Sequence, residues 1–225
     1  MRLPYHPYFL VPALARVGVD GVVEERLHTL AQLFVELREP RLSRHWIHLQ
    51  IYTYSSIVRE RLRAGLRAFG PAGAGLGRRL LGRMLVLQGY LASEPDVAIA
   101  ARLRRGSDGR ARLDLDGPLP RPVRRRIGAL VWRLVRDARP LGMLPLVPLL
   151  HVGQPGEGNH VGACLPMRAR PSGLETDLLG RLPGYRRVHV VDASVLPSLP
   201  AKTLTYTAMA NARRIAIEAL REARA

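Results

Sequence analysis

His160 stands in the run Asn159-His160-Val161-Gly162-Ala163-Cys164-Leu165-Pro166-Met167, with Gly153, Gly156, Gly158 and Gly162 around it. An imidazole changes charge near neutral pH, so it can take or give a proton during a reaction. The glycines let the backbone come close to a ligand. A second stretch runs Val190-Val191-Asp192-Ala193-Ser194 and then Leu196-Pro197-Ser198-Leu199-Pro200-Ala201-Lys202-Thr203. It reads as a strand over 188–191, ended by Asp192, then a turn stiffened by Pro197 and Pro200. A carboxylate at a strand end can accept from a ribose or polyol hydroxyl, and it can equally cap a turn. Thr203 or Thr205 is expected to cap a helix through Ala208, Met209, Ala212, Ile215 and Ala219. The N-terminus of such a helix offers unpaired N–H groups and partial positive charge.

Composition narrows the function classes. The chain has 225 residues, enough for one large domain or two small ones. It contains no apolar run of membrane-spanning length and no signal-peptide h-region at its start. Cys164 is the only cysteine, so an intrachain disulfide and a CxxC metal site are excluded, and no metal centre is expected. A reducing cytoplasm is the expected compartment. The net charge of +17 comes from 35 basic residues, of which only Lys202 is lysine. The arginines are spread along the chain instead of clustered, and no aromatic–basic stripe offers base stacking, so no nucleic-acid partner is expected.

The elements that must position these residues follow from periodicity. Prolines 4, 7 and 12 keep residues 1–21 extended or in loops. Apolar spacing predicts a helix over 22–37, a strand over 45–54 and a helix over 57–69. His45 and His48 read as sheet-surface groups. The glycine-rich stretch from Gly70 to Gly77 follows a helix and lacks GxGxxG spacing, so it reads as a connection and not as a nucleotide fingerprint. Strands are expected over 84–91 and 96–104, with a turn at Gly106-Ser107-Asp108-Gly109 leading into a strand over 110–116. A helix over 123–138 and a proline-interrupted strand over 144–152 follow. The fold class is therefore α+β, a mostly antiparallel sheet with covering helices over 1–150, followed by a chemistry-bearing segment over 151–225.

The two opening stretches resemble the C-terminal motifs of the glucose–methanol–choline (GMC) oxidoreductases. The family pattern is near H-P-V-G-T-C-R-M, and His160 to Met167 read H-V-G-A-C-L-P-M. The later pattern is near V-V-D-A-S-V-F-P-T-I-P-S-G-N-P-N-L-T, and Val190 to Thr207 read V-V-D-A-S-V-L-P-S-L-P-A-K-T-L-T-Y-T without a gap. Thr176 to Arg181 and Val188-His189 are similar to the segment between them. The resemblance covers about residues 159–215.

This resemblance implies FAD as cofactor and oxidation of a CH–OH group in a small-molecule alcohol, sugar or sterol-like donor. It implies His160 as the active-site base. Asn159 is a neighbour able to share the role, and Thr203 stands where the family has His or Asn. It implies Asp192 and Ala193 against the ribityl–phosphate region of FAD. Thr205 and Tyr206, at the helix start, would face the flavin pyrimidine ring. The family's glycine-rich dinucleotide fingerprint is not found in the sequence, so the chain is expected to be a C-terminal fragment. A missing N-terminal domain or a separate FAD-binding chain would complete it. The alternatives are a catalytically incomplete remnant or partner subunit of a split enzyme, and a basic nucleic-acid-binding module.

Overall fold

Where prolines forbid helix and apolar residues alternate, the N-terminal run is extended. The computed structural model describes residues 1–17, 31, 33–53, 70, 83–94, 97–158 and 160–224. The described residues form an α+β chain with mostly antiparallel sheets and two α-helices. The strands are β1 (Arg2–Pro4), β2 (Tyr8–Ala15), β3 (Leu33–Leu37), β4 (Ile47–Thr53), β5 (Met84–Tyr90), β6 (Ala98–Arg105), β7 (Ala111–Asp116), β8 (Met143–Pro145) and β9 (His151–Val152). The helices are α1 (Arg121–Asp137) and α2 (Thr205–Arg224). The chain divides into two compact units. One comprises residues 1–8, 90–123 and 153–225, the other residues 9–89 and 124–152.

The second unit holds a six-stranded sheet in the order β3-β4-β5-β2-β8, with β9 also beside β2. Phe9, Val11 and Ala13 alternate inward along β2, as a half-buried strand requires. Gly89 of β5 lies against the Phe9 ring with no room for a Cβ. Ile127, Leu130, Val131 and Leu134 form the buried face of α1, at spacings of three and four. Burying each such side chain contributes about 1.5–3 kcal/mol. Arg121, Arg124 and Arg125 are exposed at the start of this helix.

Three expectations change here. The helix expected over 22–37 is overturned at its end, because Leu33–Leu37 pairs antiparallel with β4, Leu33 opposite Ile51 and Leu37 opposite Ile47. Leu33, Val35 and Leu37 alternate with a period of two, while Leu33, Phe34 and Leu37 also fit a helical stripe, and the β4 partner decides between them. Residues 18–30, 57–69 and 71–77 lie outside the described residues. His48 is buried, not on the sheet surface, and its Nδ1 lies 3.5 Å from Oε1 of Glu36. The strand expected over 144–152 splits into β8, a 3₁₀ turn over Val147–Leu149, and β9. Pro145 and Pro148 have no N–H to give a continuous ladder. The Leu146 N–H reaches the Pro12 carbonyl at 2.7 Å across the break.

The first unit carries the expected hairpin. β6 and β7 pair antiparallel through the Gly106–Gly109 turn, with Leu103 opposite Leu113, and β1 pairs with β6. Most of the unit's remaining chain is irregular backbone held by turn and side-chain bonds, and it contains the motif-bearing stretches.

Candidate functional site

The loop carrying His160 is fixed by backbone pairing directly after the imidazole. Tyr5 forms an antiparallel bridge with Val161, and the Gly162 N–H donates to the Pro4 carbonyl at 3.2 Å. Beyond it, the N–H groups of Ala163, Leu165 and Met167 donate to the carbonyls of Ala193, Ser194 and Val195, each at 2.9 Å. Alternate residues of this stretch thus bond three successive carbonyls of a 3₁₀ turn (Ala193–Val195). The two stretches singled out in the sequence are therefore joined directly. A Cβ on Gly162 would lie 2.7 Å from the Ala193 oxygen and 2.9 Å from Leu199 Cδ2, so the approach requires glycine. Ala163 takes a left-handed φ of 52°, uncommon for a residue with a Cβ.

Apolar contact and side-chain bonds hold this stretch from below. Ala163, Leu196, Leu199 and Leu204 form one buried cluster. Ser93 clamps the proline turn twice: its N–H donates to the Leu199 carbonyl at 2.9 Å, and its Oγ accepts from the Leu199 N–H at 2.8 Å. The Thr176 hydroxyl, fully buried, donates to the Leu165 carbonyl at 3.0 Å. Asp177 closes the next turn, accepting from the N–H groups of Leu179 and Arg181 and from Arg181 Nε at 2.7 Å. Burial pushes the Asp177 carboxyl upward, but these bonds and the Arg181 charge outweigh it and hold it below its ordinary value.

Around His160 the rings form a triangle. His6 stands edge-on to it with centroids 5.2 Å apart, Tyr90 lies 5.9 Å from it, and His6 and Tyr90 are 5.7 Å apart. Tyr8 packs against Tyr90 at 5.9 Å. His6 is only 1% exposed, and among the described residues neither of its ring nitrogens has a hydrogen-bond partner. The Nδ1 of His160 is likewise enclosed and, among the described residues, unpartnered.

Burial lowers the proton affinity of both rings. His6 falls to about 4, through burial first and the neighbouring His160 second. The Pro200 carbonyl pulls the other way without a well-aligned bond to either nitrogen. His160 is lowered by burial. A neutral imidazole with its Nδ1 edge enclosed can receive a proton on Nε2, the act of a general base. Burial raises the Cys164 thiol, and the Asp192 charge adds to this against a backbone bond, so Cys164 is not a ready nucleophile.

The other sequence-derived residues fall as follows. The strand expected over 188–191 does not form. Val190 instead bonds the Gly180 carbonyl at 2.9 Å, and His189 Nδ1 lies 2.8 Å from the Leu179 carbonyl. Gly180, at φ 73°, packs so tightly under the Val190 carbonyl that a Cβ cannot enter, and a two-residue contact replaces a ladder. Asp192 caps the 3₁₀ turn: its Oδ1 accepts from the Ser194 N–H at 3.0 Å and from the Ser194 hydroxyl. Its Oδ2 takes no hydrogen bond among the described residues, and the residue is exposed. The helix cap expected at Thr203 or Thr205 is Leu204, whose carbonyl accepts from the Ala208 N–H and whose side chain joins the buried cluster. Thr203, Thr205 and Tyr206 are exposed around this start.

The backbone ladder thus joins the His160 loop to Ala193, next to Asp192. Among the described residues, no hydrogen bond or ring contact joins Thr203 to His160. Asn159 lies outside the described residues. His6 and Tyr90 were not singled out from the sequence as site residues. The available signal was an aromatic-rich start, Tyr5-His6-Pro7-Tyr8, whose prolines keep it extended. Among the described residues no group of three or more His, Cys, Asp or Glu side chains could hold a metal ion, and no helix is long and apolar enough to cross a membrane. No family model and no curated protein matches the chain.

Proposed function

We propose that the chain is the C-terminal part of a GMC-type oxidoreductase. It would contain the substrate domain and the segment that completes an FAD domain, and it would oxidise the CH–OH group of an alcohol, sugar or sterol-like donor. The observation that carries this reading is the ladder from Ala163, Leu165 and Met167 to Ala193, Ser194 and Val195. It unites the two stretches whose sequences resemble the family's site. His160 is the base: kept neutral by burial, it accepts the hydroxyl proton of the donor. Bound FAD would supply the hydride acceptor.

The residues present suit that cofactor. Asp192 has Oδ2 available to a polyol hydroxyl, and Ala193 lies beside it. The first turn of α2, with Thr205 and Tyr206 exposed, presents N–H groups and partial positive charge to an electron-rich ring. Tyr206 is 86% and Met209 60% exposed, an apolar face suited to cover by an FAD-binding domain, in the same protein or a separate chain. The test is a visible spectrum. The chain alone should carry no stoichiometric flavin, and paired with an FAD-binding domain it should acquire one. Stoichiometric flavin in the chain alone overturns the fragment reading. No flavin in any pairing overturns the family reading.

Thr203 favours a second reading, a remnant or partner subunit without its own turnover. A hydroxyl is a shorter partner than the family's His or Asn, and here no hydrogen bond joins it to His160 among the described residues. Flavin binding in the paired complex without alcohol-dependent bleaching would select this reading.

A further inference from the structure

His6 is the most enclosed titratable side chain near His160. Its carbonyl lies against Gly158, where a Cβ would come within 3.2 Å, so the His160 loop is closed tightly over it. Its ring meets that of His160 at 5.2 Å and 65°, and that of Tyr90 at 5.7 Å and 64°. Such edge-on contacts fix the plane of each ring. Both His6 nitrogens and the His160 Nδ1 are enclosed without hydrogen-bond partners among the described residues. An enclosed, unpartnered polar edge is costly, and a native structure that keeps one calls for a reason such as a functional role.

We propose that His6 is a positioning residue for His160, and that the two imidazoles, both neutral at rest, take up only one proton between them, on His160, while His6 stays neutral. Among the described residues the titratable rings packed against His6 are Tyr90 at the end of β5 and His160 on the opposing loop, while Tyr5 and Tyr8 are near it in sequence. Of these only His160 acts on it as a charge, and it lowers the proton affinity of His6. Two like charges at this separation in a desolvated setting oppose each other strongly, so the pair titrates in two separated steps. The edge contact orients His160 with Nδ1 inward and leaves Nε2 for the proton. The role of His160 as base rests on the function proposed above; the pairing of the rings does not.

Histidine-ring nitrogen NMR of the full chain, titrated from pH 8 to 3.5, tests this without cofactor or substrate. His6→Phe, which keeps an edge contact, assigns the His6 resonance. In the unsubstituted chain His160 should titrate first and His6 only near 4. In His160→Gln the His6 midpoint should rise by about one pH unit, a tenfold gain in proton affinity. If that variant fails to fold, His160→Phe carries the same comparison. A His6 midpoint unmoved by loss of the His160 charge overturns the pairing, as does simultaneous titration of both rings near the ordinary imidazole value. A coupled pair in a protein that never binds flavin overturns the proposed function alone. An uncoupled pair in an enzyme that reduces flavin overturns the pairing alone.

Discussion

Ala163 donates its N–H to the carbonyl of Ala193 at 2.9 Å, and Gly162 lies so close to the same carbonyl that a Cβ would come within 2.7 Å. A Gly–Ala pair thus joins two segments about thirty residues apart in the chain. Gly162→Ala should destabilise the protein by about 1–3 kcal/mol, the usual cost of forcing an atom into packed surroundings. Gly128→Ala is the contrast. Gly128 is in α1, and a Cβ there meets nothing within 4 Å, so the change should stabilise by about 0.5–1 kcal/mol. Urea melts of both variants read the two signs. Equal effects would mean that the close approach at Gly162 is not what constrains it.

Ser93 supports the proline turn from a different part of the chain. Ser93→Ala leaves the buried Leu199 N–H without its acceptor and should cost about 1–3 kcal/mol. Hydrogen exchange at Leu199 should rise in the variant. Unchanged protection there would show that the backbone bond alone holds the turn.

Burial of His6 makes stability depend on pH. Its folded value, about 4, lies below the ordinary imidazole value of about 6.5. The unfolded chain therefore binds the proton more readily. The stabilisation is fully present above about 6.5 and is lost as pH falls toward 4, by up to about 3 kcal/mol. His6→Phe should flatten this part of the profile. A native profile level between pH 7 and 4.5 would contradict the burial of a neutral ring.

Asp177 acts in a lower window. Its folded value is depressed, so its contribution is present above about 3.9, the ordinary carboxylate value, and is lost as pH falls through the folded value. Asp177→Asn should cost about 1–2 kcal/mol at neutral pH, because the ion pair with Arg181 is lost while part of the turn bonding survives. Thermal melts at pH 7 and pH 3 check this. The difference between the variant and the native chain should shrink at the lower pH.

The hairpin at Gly106–Gly109 and α1 were legible because local chemistry and tertiary packing agree there: turn residues between alternating runs, and a single apolar stripe. The strip at Leu33–Leu37 satisfied two periods at once, and only its β4 partner decided. The segment Val188–Val191 has strand composition, yet Gly180 gives it a single tight contact and no ladder. The order of the motifs pointed to His160 and Asp192. His6 was not legible as a neighbour of His160, because the contact joins residues 6 and 160 through burial, for which no local spacing exists. The Ser93 clamp on Leu199 was hidden for the same reason.

The most direct measurement of the proposed function is anaerobic flavin reduction by an alcohol donor in a complex of this chain with an FAD-binding domain, followed by bleaching of the visible flavin band. His160→Ala should slow reduction on the order of 10²–10⁴-fold with flavin content unchanged, the loss expected when a general base is removed. Reduction at the native rate in that variant would contradict the assignment of His160 as the base.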